Sequence, residues 1–72
     1  MTGLELKKAR KELGLTSAKL GFALGYRGDE ETAGAAVRRM ESGKRRVRPA
    51  IARLVYMFVA HGVPEEWLLP SE

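Results

Sequence analysis

Five short runs of helix-spaced apolar residues, each opened by a capping residue or a proline and four of them closed by glycine, confine this chain to a bundle of short helices. Thr2 followed three residues later by Glu5 reads as a capping box. Leu6, Ala9, Arg10 and Leu13 then share one helical face, and Gly14 stands where a left-handed stop is wanted. Thr16 or Ser17 opens a second run, whose face is Leu20, Ala23 and Leu24 and whose stop is Gly25. Asp29 caps a third, with Glu30 and Glu31 at the positive end of the helix dipole and Ala33, Val37 and Met40 pointing inward up to Ser42-Gly43. Pro49 suits the first turn of a fourth helix reaching about His61, with Ile51, Leu54, Val55 and Phe58 on one face and Gly62 beyond. Pro64, Glu65, Glu66, Trp67 and Leu68 read as a short fifth helix. The expected fold is all-α: five short helices and no strands, in one domain spanning 1–72.

A chain of 72 residues hides a small share of its surface, so only modest stability is expected, and without cysteine neither a disulfide nor a thiolate metal site can staple it. Thirteen Lys and Arg against nine Asp and Glu give a net charge of +4. Their distribution is more telling. From Lys44 to Pro64 there is no acidic residue, while Lys44, Arg45, Arg46, Arg48 and Arg53 fall inside that stretch. Such a cluster suits a polyanion, through phosphate contact and counterion release, or is a solvated basic loop. Charges interrupt every apolar run, so no membrane span is expected, and Met1 to Glu5 lacks the apolar core of a signal peptide. A cytoplasmic protein is expected.

Catalysis is not expected. His61 is the single histidine, and with no cysteine it has no partner for a metal site or a nucleophile–base pair. The carboxylates fall at caps and on helix surfaces, and Gly21, Gly25 and Gly28 follow no strand that would make them a phosphate loop. No cofactor, metal or small-molecule ligand is expected.

The run Gly14-Leu15-Thr16-Ser17-Ala18-Lys19-Leu20-Gly21-Phe22-Ala23-Leu24-Gly25 resembles the first half of the helix-turn-helix of the Cro/C1-type (XRE) repressor family, whose pattern is G-L-T-x-x-x-L-A-x-x-L-G. Arg38-Arg39-Met40-Glu41-Ser42-Gly43-Lys44-Arg45 is similar to the end of that family's recognition helix, and Pro49 through Leu69 to its closing helices. Gly21 stands where the family has alanine, at a close helix crossing. The span from Gly25 to Gly43 is about six residues longer than the family spacing, by alignment of the periodic faces. The resemblance implies a five-helix, lambda-repressor-like DNA-binding domain with an enlarged segment between the two helix-turn-helix helices. Either the turn is enlarged or the recognition helix starts early. A helix beginning near Glu30 is favoured, since Asp29 caps it, although Gly34 in mid-helix counts against it. The resemblance also implies an ion pair between Arg10, set in an otherwise apolar face, and Glu41; the alternative is an Arg10 that snorkels to solvent.

On this reading the third helix enters the major groove and the second crosses the backbone. Arg38 and Arg39 are the candidates for guanine readout, with Thr32, Ala35 and Glu31 beside them. Ala35 and Ala36 would let the helix approach thymine methyl groups, while Glu31 either accepts from cytosine or is a surface acid. Thr16, Ser17 and Lys19 at the start of the second helix, and Lys44, Arg45, Arg46 and Arg48 after the third, are candidates for phosphate contact. A two-fold dimer on a palindromic operator is expected, with Tyr56, Val59, Val63, Trp67 and Leu69 as its interface, unless Trp67 and its neighbours plug this chain's own core. The expected function is a sequence-specific, double-stranded-DNA-binding transcriptional repressor that regulates its own operon; the rivals are an antitoxin and a protein-interaction module.

Overall fold

The computed structural model describes residues 1–70. Four α-helices follow one another: α1 Gly3–Glu12, α2 Ser17–Ala23, α3 Glu30–Glu41 and α4 Pro49–His61, and a 3-10 turn over Glu65–Leu68 completes the described chain. No strand occurs among the described residues. The fifth run is thus a single tight turn and not an α-helix. Only four residues separate Pro64 from Leu69, too few to nucleate an α-helix on their own.

Capping decides where each helix begins. The Thr2 hydroxyl accepts from the Glu5 backbone N–H at 3.1 Å, and the Glu5 carboxylate accepts from the Thr2 N–H at 2.8 Å. Thr16, not Ser17, caps α2, its hydroxyl accepting from the Lys19 N–H at 3.1 Å. Asp29 caps α3 through the Thr32 N–H at 2.9 Å. That cap starts α3 at Glu30, as the sequence favoured, and residues 24–29 connect it to α2. Both α1 and α2 end in a Schellman motif, with Gly14 and Gly25 at positive φ; Leu15 N–H reaches back to the Arg10 carbonyl and Tyr26 N–H to that of Gly21.

The inward faces meet in one apolar cluster: Leu6 and Ala9 of α1, Leu20 and Ala23 of α2, Val37 and Met40 of α3, and Ala52, Val55 and Phe58 of α4. Val47 joins them from the loop between α3 and α4. No polar or charged residue is fully buried among the described residues. Burial of these apolar side chains at about 25 cal/mol per Å² is the main stabilising term for a chain this size. Ala33 and Ala36 of α3 are also buried, so its inward stripe is wider than three residues. Ala36 therefore faces the core, contrary to the expectation that it approaches a groove.

Candidate nucleic-acid interface

Two small-residue contacts join α2 to α3. A methyl group at Gly21 would come within 2.8 Å of the Ala33 carbonyl carbon and 2.9 Å of its Cβ. One turn earlier on α2, Ala18 faces Gly34, where a methyl would lie 3.4 Å from the Ala18 nitrogen. The two backbones approach too closely at Gly21 for even an alanine, so the glycine is a packing requirement of the crossing. Phe22, which lies off the apolar face read from the sequence, is nonetheless buried.

The far end of α3 is tied to α1. The Arg10 Nε donates to Glu41 Oε2 at 2.7 Å, Nη2 donates to Oε1 at 3.2 Å, and Nη1 donates to the Leu15 carbonyl at 3.2 Å. Side-chain exposure is 16% for Arg10 and 8% for Glu41. Arg10 does not snorkel to solvent: the fork grips the carboxylate with two parallel bonds, the geometry in which an enclosed pair holds its register. Its third bond also orients the start of the α1–α2 turn.

With α3 held at both contacts, its outer surface carries Glu31, Thr32, Arg38, Arg39 and Ser42 exposed and Ala35 half-buried. Arg38 and Glu31 pair with each other, Nη2 to Oε1 at 2.9 Å, across two helical turns. Among the described residues no carboxylate lies within ion-pairing distance of Arg39. The Ser42 hydroxyl donates to the Arg39 carbonyl at 3.1 Å, finishing the helix. Asp29 holds its charge at the start of α3: the Thr32 backbone N–H, and then the Thr32 side chain, lower its pKa from the ordinary value.

The cationic segment lies directly after α3. Lys44, Arg45, Arg46 and Arg48 are exposed, and Arg45, Arg46 and Arg48 with Pro49 line a depression of about 420 Å³. Three contacts keep this segment against the molecule. Val47, buried at 8% exposure, anchors its middle, and the Arg45 N–H donates to the Arg39 carbonyl at 3.1 Å. The Arg45 guanidinium stands 5.4 Å from the centroid of the Tyr26 ring, a cation–π contact between this segment and the α2–α3 connection. Sequence reasoning missed both Tyr26 and Val47. The available signal was a lone apolar residue among four cations and a lone aromatic in a polar turn. At the start of α2, Thr16 and Lys19 are exposed and Ser17 is half-buried.

The five candidate interface residues do not form one patch. Tyr56 and Val59 line a groove between α4 and α1, shared with Met1, Glu5 and Lys8. Val63 and Trp67 line another, of about 460 Å³, with Leu54, Met57 and His61. Leu69 lines a third with Leu24 and Trp67. Trp67 has a double role: it packs edge-on against Phe58 at 6.0 Å yet keeps 45% of its surface exposed. Met57, at 57% exposure, lines the same groove as Trp67, outside the core face of α4.

Compared with protein-family models, with curated proteins and with solved structures, the chain matches none of them. No group of three or more His, Cys, Asp or Glu comes together as a metal-ligand set among the described residues, and none of the helices is long and apolar enough to cross a membrane.

Proposed function

We propose that this chain is a sequence-specific DNA-binding repressor of the helix-turn-helix kind, acting as a dimer on a palindromic operator. The observation that carries the reading is the α2–α3 unit: two helices in backbone contact at Gly21, with the outer face of α3 bearing two arginines and running straight into an exposed cationic segment. A rigid helix with a basic outer face and flanking cations is what major-groove docking requires.

In this mechanism α3 lies in the major groove and the Arg39 fork donates to guanine O6 and N7. Arg38 reads a neighbouring pair, while Thr32 and Ala35 contact base edges and thymine methyl groups. Lys44, Arg45, Arg46 and Arg48 clamp one phosphate strand, and Thr16, Ser17 and Lys19 meet the other. The Arg10–Glu41 pair keeps α3 at a constant depth. The decisive experiment is a salt titration of binding to a palindromic fragment from the gene's own upstream region, beside scrambled duplex. Preference for the upstream fragment that persists at physiological salt supports the repressor. Equal affinities that vanish together as salt rises would reduce the basic surface to generic phosphate attraction.

A second reading, neutralisation of a protein partner as an antitoxin or interaction module, draws on the apolar groove of Met57, Val63 and Trp67. It predicts that neutralising Arg39, Lys44 and Arg45 leaves function intact, where the repressor reading predicts its loss.

A further inference from the structure

Arg38 and Glu31 stand seven residues apart on α3, so they share a face, with Gly34 and Ala35 between them. Any longer side chain at those two positions would block the path between the charges. Side chains on a helix lean toward its N-terminus, and Arg38 follows that lean for its whole length. Its Nη2 reaches Glu31 Oε1 at 2.9 Å, and its Nη1 lies only 2.9 Å from where a methyl at Gly34 would sit. The guanidinium therefore occupies space that a methyl at Gly34 would fill, a track left open by a glycine. It sits nearer the middle of α3 than its own Cα does, and it remains accessible, with 52% of the side chain exposed.

A mid-helix glycine costs helix stability, and an exposed ion pair adds little of its own. Gly34 faces Ala18, but a methyl there would come no closer than 3.4 Å to the α2 backbone, so the helix crossing does not by itself require glycine at this position. From this geometry we infer that Glu31 is a positioning residue, which holds the Arg38 guanidinium in the Gly34–Ala35 track so that its fork is preset for one guanine. The inference rests on the DNA-binding reading and deepens it. Glu31 itself reads no base, in place of the earlier alternative that it accepts from cytosine. Arg39, unbraced, reads with less discrimination. Presetting the fork removes the rotamer freedom that an arginine otherwise loses on docking.

The test is selection from a random duplex pool, followed by affinities for the selected site and its single-base variants. Arg38→Ala identifies the base pair that Arg38 reads. Glu31→Gln is expected to lower the guanine preference at that same pair by roughly tenfold, while affinity for random duplex rises because a negative charge has left the surface. Gly34→Ala, whose methyl displaces the guanidinium, is expected to lose the same preference without a fall in melting temperature, since alanine favours the helix. A merely structural Gly34 would not move base preference at a single position. Three results overturn the inference. Both variants keeping the preference would make Glu31 an ordinary surface acid. A changed preference at a different pair would make Glu31 a base reader. A uniform loss in Arg38→Ala would make Arg38 a phosphate contact. Absence of any sequence preference in the unaltered chain would instead overturn the DNA-reading proposal itself, and this inference with it.

Discussion

Arg10 is the residue whose chemistry was most exposed in the sequence, because a guanidinium on an apolar helix face demands a partner. The partner is Glu41, 31 positions away, and the enclosed pair makes a sharp prediction. Arg10→Met alone leaves a carboxylate of 8% exposure unpaired and should cost about 3 kcal/mol or more. Arg10→Met with Glu41→Leu should recover much of that loss, so a double-mutant cycle in chemical denaturation is expected to be clearly non-additive. At the proposed interface, Arg39→Ala should change base preference. Lys44→Ala should weaken all sequences alike and make the salt slope shallower by about one unit, as competition binding at several salt concentrations would register. Ala36 illustrates where residue-level reading stops. Periodicity marks the centre of a buried stripe but not its width, and α3 packs against α2 as well as the core.

At the scale of the helices, the ends were legible because capping is local. A hydroxyl or carboxylate three residues from an unpaired N–H satisfies it without reference to the rest of the fold. The caps should also make stability depend on acid pH. Backbone and side-chain hydrogen bonds from Thr2 lower the pKa of Glu5, and those from Thr32 lower that of Asp29. A carboxylate whose folded pKa is depressed contributes stability that is present above its unfolded pKa and is lost as pH falls through the folded one. Thermal stability is therefore expected to drop on the acid side of about pH 4. Asp29→Asn, which still caps but cannot titrate, should flatten that drop in melting curves taken between about pH 5 and 3. The crossing of α2 and α3 supports a second prediction. Gly21→Ala drives a methyl into the Ala33 backbone and should destabilise by about 1–3 kcal/mol despite the better helix propensity of alanine. A gain in melting temperature would contradict the crossing.

On the whole molecule, the apolar surface left uncovered is split among grooves instead of gathered into a single face. For the proposed dimer this narrows the contact to the neighbourhood of Met57, Val63 and Trp67. Met57→Lys changes an exposed position, so the fold should survive while self-association and operator affinity fall together. Sedimentation with and without duplex checks this; monomer throughout in the unaltered chain would remove the dimer from the proposal.

The four α-helices, their ends and most of the core were determined by the sequence alone, since each depends on contacts within a few residues, whereas the fifth run, expected as a helix, is a single 3-10 turn. The residues that the tertiary structure decided share a different property: their neighbours lie far along the chain. Val47 is apolar in a basic loop, and only the position of that loop over the core buries it. Tyr26 meets Arg45 because both flank α3. Trp67 could fill this chain's core or face a partner, and it does the first against Phe58 while leaving half of itself available for the second. Local pattern prescribes which face of a helix turns inward. Which helix it meets, and how closely, follows only when all of them pack at once.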